Sequence, residues 1–210
     1  SFFFPKNMSY FSKYTLLKTS RQNIEKWKKI YSKMLKEIAL YSGKHKKIIL
    51  KNPHNTARVK ILKEMYPGAK FIFIHRNPYD VFSSTKHLHM TLIKEQYMQA
   101  FSEHEINELV LHCYEQMMQG YLEQRKLIGI DNLIEISYSD LNENPMKCME
   151  KVYKKLNLKN YQGVKKYFED YLLSQQTYRK NAFTPLSAEL KANIKRRWAF
   201  AFKAWDYESS

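Results

Sequence analysis

The sequence predicts an α/β domain built on a parallel sheet, and three observations within residues 47–85, KIILKNPHNTARVKILKEMYPGAKFIFIHRNPYDVFSST, carry the prediction. Two short apolar runs, 48–50 and 71–74, show no polar alternation, which is the pattern of strands covered on both faces. Each run ends in a polar cluster that opens a helical segment. Strands alternating with helices form parallel sheets with right-handed crossovers. Such sheets bind ligands beyond the carboxyl ends of their strands, so Lys51-Asn52-Pro53-His54 and His75-Arg76-Asn77-Pro78 are expected to line one site.

The elements follow in chain order. Ser20 caps a helix to residue 42, in which Ile24, Trp27, Tyr31, Met34, Leu35 and Ile38 recur at steps of three and four as a core-facing stripe. Gly43 stops it, and Lys26, Lys28, Lys29, Lys33 and Lys36 lie largely on the solvated side. A strand at 47–50 leads into a helix over roughly 55–66 that buries Val59, Leu62 and Met65 and ends at Pro67-Gly68. The strand at 70–75 runs into Asn77-Pro78, a cap followed by proline at the first helical position, so a helix starts at 78 and reaches about 88. No pattern decides 90–101.

Ser102-Glu103-His104-Glu105 is a capping box for a helix to about 127, buried along Ile106, Leu109, Val110, Cys113 and Met117 and closed by Gly129. Residues 132–138 give a third strand. Asn144-Pro145 repeats the cap-then-proline start for a helix through Leu156. Residues 161–174 form another, with Val164, Phe168, Tyr171 and Leu172 inward, and a last helix from Ser187 stacks Leu190, Ile194 and Trp198. No internal repeat or linker divides the chain, which predicts one domain over residues 1–210.

Charge narrows the partners. Lys and Arg number 36 against 20 Asp and Glu, a net charge of +16 that favours anionic ligands. No nucleic-acid-binding module accompanies the basic excess, so nucleic acid is not an expected partner. The two cysteines, Cys113 and Cys148, both fall in helical segments and give no disulfide framework, which points to a reducing, cytoplasmic setting. No apolar run approaches the ~18 residues of a membrane span. The opening SFFFPKNMSYF has neither a signal-peptide layout nor an initiator Met, so the chain is expected to be the larger carboxyl-terminal part of something longer. His87 and His89 stand two apart on a helix, on different faces, and no His/Cys/Asp/Glu cluster has zinc spacing, so no metal is expected.

Two pairs of residues carry the chemistry. Arg76 ends a strand and Ser84 follows eight residues later, about two turns into the next helix. A guanidinium fork, a hydroxyl and helix-start N–H groups suit a phosphate, while an ion pair to Asp80 is the alternative for Arg76. Lys51 ends the preceding strand with His54 three residues on. The lysine suits charge building on a transferred group and a neutral histidine suits removal of a hydroxyl proton; a solvated His54 is the alternative. Arg58 faces the same helix start and is expected to form an ion pair within the chain.

The string HRNPYDVFSS resembles the 3′-phosphate-binding segment of the sulfotransferases. In that family an Arg at a strand end and a Ser eight positions later hold the 3′-phosphate of 3′-phosphoadenosine-5′-phosphosulfate (PAPS). LKNPHNTARVKILKEMYPGAKFIFIHRNPYDVF is similar to the bacterial and carbohydrate-type branch, and ISYSDLNENP resembles the family segment whose Tyr, here Tyr138, lies beside the adenine. YRKNAF sits where the family places a loop closing over the nucleotide, which extends the resemblance to Arg179 and Lys180. These segments lie in the family's order over most of residues 47–183.

The resemblance implies a three-layer, P-loop-like parallel sheet. It also implies metal-free transfer of a sulfuryl group from PAPS to a hydroxyl or amine on a small molecule or glycan, with 3′,5′-bisphosphate (PAP) leaving. The chain departs from the family in one respect: the glycines, Gly43, Gly68, Gly120, Gly129 and Gly163, form no loop of the type that cradles the 5′-phosphosulfate. That loop and its strand belong before residue 1, so this chain is expected to hold half of the cofactor site. A non-catalytic PAP-binding or interaction module is the competing expectation. A family His at a neighbouring position takes the acceptor proton in some relatives and a Glu after the missing loop does so in others, which leaves the base open between His54 and a residue outside the chain.

Overall fold

Two of the three apolar runs form strands. β1 (Phe71–His75) and β2 (Leu133–Ser137) pair in parallel, from Phe71 opposite Leu133 to His75 opposite Ser137. The computed structural model describes residues 4–43, 46–177 and 181–207, and around this sheet it is predominantly helical. Parallel strands require a crossover, here supplied by α4 (Pro78–Leu88) and α5 (Glu103–Gln124).

The third run differs from the expected strand. Residues 46–50 have no strand pairing, and Ile49 is 91% exposed. An apolar run becomes a strand only when a neighbour takes its backbone groups, and no strand among the described residues flanks this one. Burial of β1 is likewise one-sided. Phe73 stacks on Tyr121 at 4.0 Å and on Trp205 at 5.4 Å, whereas Ile72 and Ile74 remain half exposed. β2 is closer to the expected two-sided strand, because α7 (Pro145–Lys155) covers Ile134 and Ile136 with Cys148, Val152 and neighbouring Leu156. The described residues thus show a mixed α/β fold with a small parallel sheet rather than the full three-layer sheet.

The helices follow their caps. Ser20 accepts from the Asn23 N–H at the start of α2 (Arg21–Ser42), with α1 (Met8–Thr15) before it. The core stripe of α2 is narrower than its periodicity suggests: Leu35 is buried, but Met34 and Ile38 are each 40% exposed. The segment expected to be one helix over 55–66 splits into a 3-10 helix, Pro53–Arg58, and α3 (Val59–Met65), because Asn52 and Pro53 start the chain's turn earlier and more tightly. The undecided stretch holds a π-helical turn, His89–Ile93, and a short 3-10 turn, Lys94–Gln96. A short helix, α6 (Tyr138–Glu143), begins directly after β2, capped by Ser137. In α8 (Tyr161–Ser174) Tyr171 is 62% exposed and does not face inward as its spacing predicts.

The main core joins α4 and α5 to α9 (Ala188–Arg197) and α10 (Ala199–Ala204) through Phe82, Ile106, Val110, Leu111, Ile194, Trp198 and Phe202. Trp198 is fully buried, and its Nε1–H donates to the Leu111 carbonyl at 3.2 Å. Beside it, Arg197 donates to Glu108 and to both oxygens of Glu115. Among the described residues no helix is long and apolar enough to cross a membrane.

Candidate active site

Parallel pairing brings the carboxyl ends of β1 and β2 side by side, so the residues that follow His75 and Ser137 emerge together. The first is Arg76 and the second Tyr138, and the guanidinium lies 4.8 Å from the centre of the tyrosine ring. Arg76 also donates from Nε to Oδ2 of Asp80 at 3.2 Å, the ion pair that the four-residue spacing permits. That bond leaves the two terminal nitrogens of the fork uncommitted to Asp80. Asn77 caps α4 by accepting from the Tyr79 N–H at 3.0 Å, and Pro78 occupies the first helical position. Arg76, Asp80 and Ser84 stand at successive steps of four, which aligns Asp80 and half-buried Ser84 along one strip of α4.

Behind the strand end lies a cluster that sequence reasoning missed. His75 Nδ1 is 2.9 Å from the Tyr207 hydroxyl and its ring stacks on Trp205 at 5.4 Å. Burial pushes the His75 pKa down, opposed by the negative charges of Glu135 and Asp140. Glu135, the one acid in β2, accepts from the Tyr121 hydroxyl at 2.6 Å, from Arg125 at 2.8 and 2.9 Å, and from Trp205 Nε1 at 3.4 Å. An acid interrupting an apolar strand is the sequence signal that marks it, since a covered carboxylate requires partners.

Lys51 and His54 belong to a different segment. Asn52 Oδ1 accepts from the His54 backbone N–H at 3.0 Å and lies 3.3 Å from its Nδ1. The tautomer that makes the second contact a hydrogen bond carries its proton on Nδ1 and leaves the Nε2 lone pair free to accept. Burial, then the positive charge of Arg58, lowers the His54 pKa and favours this neutral form. Lys51 is exposed. Among the described residues no hydrogen bond, ion pair or ring contact joins Lys51 or His54 to Arg76 or Ser84.

Arg58 does not form the expected ion pair. It donates to the carbonyls of Thr15 at 2.9 Å and Tyr14 at 3.0 Å and lies over Trp27, because the exposed carbonyl end of α1 offers the partial negative charge a carboxylate would otherwise supply. Arg179 and Lys180 lie outside the described residues. An open groove of about 490 Å³ runs between α2 and α3, lined by Lys28, Lys29, Lys33 and Lys36 with Met65 and Tyr66, and includes none of the strand-end residues. Among the described residues no group of His, Cys, Asp and Glu could hold a metal ion.

Comparison with known proteins places the sequence in a family. The sulfotransferase family matches residues 5–162. Two relatives are each 28% identical over 206 residues, covering 98% of this chain: the omega-hydroxy-beta-dihydromenaquinone-9 sulfotransferases Stf3 of Mycobacterium bovis and Mycobacterium tuberculosis. The chain spans about half the length of these relatives, 52%. No solved structure matches it. With the family match extending over three quarters of its residues and across both strand ends, the chain belongs to the sulfotransferase family.

Proposed function

We propose that the protein transfers a sulfuryl group from PAPS to a hydroxyl or amine acceptor. The observation that carries this reading is the convergence of Arg76 and Tyr138 at adjoining strand ends, with Ser84 two turns into the helix that Arg76 precedes. The terminal nitrogens of Arg76 suit two phosphate oxygens at once, and the Ser84 hydroxyl supplies a further donor. The Tyr138 ring, which lies against the Arg76 guanidinium, is assigned to the adenine.

Bound PAPS would supply the sulfuryl group. Lys51 is assigned the negative charge that develops on the departing phosphate oxygen, a task that preorganised donors perform without a metal. His54 is assigned the acceptor proton, which its Nε2 takes as the acceptor atom bonds to sulfur and the sulfur–phosphate-oxygen bond breaks. Arg179 and Lys180 are proposed to close over the nucleotide. Sulfotransfer to a hydroxyl is consistent with the relatives, whose name describes a hydroxylated menaquinone acceptor. Both cysteines are free thiols, and we assign the protein to the cytoplasm.

A second reading, a PAP-binding or interaction module without transferase activity, is favoured by the separation of the two pairs: among the described residues no hydrogen bond or ion pair joins Lys51 or His54 to Arg76 or Ser84. Two measurements on the full-length protein separate the readings. Calorimetric titration with PAP tests the nucleotide site, and sulfur-labelled PAPS offered with hydroxylated lipids, phenols and amino sugars tests transfer. Binding together with acceptor-dependent label transfer is expected. Binding without transfer to any acceptor class selects the second reading in its PAP-binding form, and no binding at millimolar PAP leaves only the interaction module.

A further inference from the structure

We infer that Asp80 is a positioning residue that sets the Arg76 guanidinium for the 3′-phosphate, and so helps the site prefer a 3′-phosphorylated nucleotide over one without that group. The inference rests on the assignment of Arg76 to the 3′-phosphate. It comes from how the guanidinium is held: Asp80 Oδ2 takes Nε at 3.2 Å, and the Tyr138 ring lies 4.8 Å from the central carbon. A flexible arginine is thereby fixed at its edge and on its face. The contact with Asp80 uses the nitrogen nearest the chain, and the two terminal nitrogens, the pair that matches a phosphate bidentately, remain available.

The placement of Asp80 supports the same conclusion. It stands in the first turn of α4, where the helix terminus favours a carboxylate, and one turn before Ser84. Its side chain is 55% exposed and that of Arg76 31%, so the pair is too solvated to be a strong stabiliser of the fold. A dianionic phosphate between Arg76 and Ser84 would have Asp80 as a near neighbour of like charge. Retaining a carboxylate there weakens phosphate binding unless it contributes something else, and orientation of the guanidinium is the contribution the contact supplies. The charge is therefore dispensable in a way the acceptor oxygen is not.

The test uses the full-length protein with two probes, PAP and adenosine 5′-monophosphate, titrated calorimetrically against the wild type, Asp80→Ala, Asp80→Asn, Arg76→Ala and the double variant Arg76→Ala/Asp80→Ala. Asp80→Ala is expected to raise the PAP Kd about 10-fold, the low end for a hydrogen bond to a charged group, and to leave the monophosphate Kd unchanged. Asp80→Asn, which keeps an acceptor oxygen and drops the charge, is expected to restore PAP affinity. In the Arg76→Ala background, removing Asp80 is expected to bring no further loss, because its effect runs through the arginine. Unchanged PAP affinity in Asp80→Ala overturns the inference, as does an equal loss for both probes, which would mean a merely structural role. A wild type that binds both nucleotides equally removes the 3′-phosphate assignment itself, a failure distinct from these two.

Discussion

Of the two arrangements that the four- and eight-residue spacings offered Arg76 as alternatives, the ion pair with Asp80 is present, and its geometry does not exclude the proposed phosphate contact. The ion pair with Asp80 engages Nε only, so it leaves the terminal nitrogens for the proposed phosphate contact. Replacing Arg76 by Ala is expected to weaken PAP binding by about 1.5–3 kcal/mol, measured by calorimetry, the scale of hydrogen bonds to a charged group. Arg76→Lys is expected to recover little, because an ammonium has no planar fork. At His54 the lowered pKa keeps the Nε2 lone pair available below the usual imidazole range. The acidic limb of the kcat/KM profile is accordingly expected to have its midpoint below the ordinary imidazole value of about 6.5; a midpoint above that value would argue against His54 as the base. Strand ends and spacing pointed to Arg76 and Ser84 as candidates, and the family resemblance pointed to Tyr138, which the parallel pairing places beside Arg76. Tyr207 was not, since its contact with His75 joins positions 132 residues apart and no local pattern encodes it.

At the scale of elements, local rules succeeded where the signal was local. Asn77-Pro78 marked the start of α4, and Ser102 with Glu105 marked the start of α5, where the reciprocal capping bonds are present. Ser102→Ala is expected to destabilise the fold by about 1 kcal/mol in urea unfolding. Apolar runs were read less well, because periodicity reports what a segment can bury and not what lies beside it. Residues 48–50 have the composition of a strand and no strand partner among the described residues, and Met34 and Ile38 continue a stripe whose far side nothing described covers. Glu135 is the opposite case, a residue that composition would place at a surface and that three donors, Tyr121, Arg125 and Trp205, hold through four hydrogen bonds. Glu135→Ala strands the Tyr121 hydroxyl and the Arg125 guanidinium, and about 1–3 kcal/mol of stability is expected to be lost, again by urea unfolding. Partial solvent access at Arg125 and Glu135 keeps this below the figure for a fully enclosed pair.

For the whole molecule, the α4–α5–α9–α10 core carries the packing, and Phe82→Ala at its fully buried centre is expected to remove about 3–5 kcal/mol. Acid sensitivity is also a property of the whole chain. His54, His75 and His89 all have pKa values lowered by burial, so each binds its proton more weakly folded than unfolded. Between the folded values and the unfolded value near 6.5 the unfolded chain holds more protons. Stability is therefore complete above about pH 6.5 and is lost as pH falls from there through the folded values, which thermal unfolding at pH 7.5 and 5.5 would register as a lower midpoint in acid. The stacking of Trp205 on His75 gives the same titration an optical form. A protonated imidazole quenches an adjacent indole, so Trp205 emission is expected to dim as His75 gains its proton. Since Arg76 is the next residue along the chain, that emission would serve as a built-in lamp beside the proposed phosphate fork.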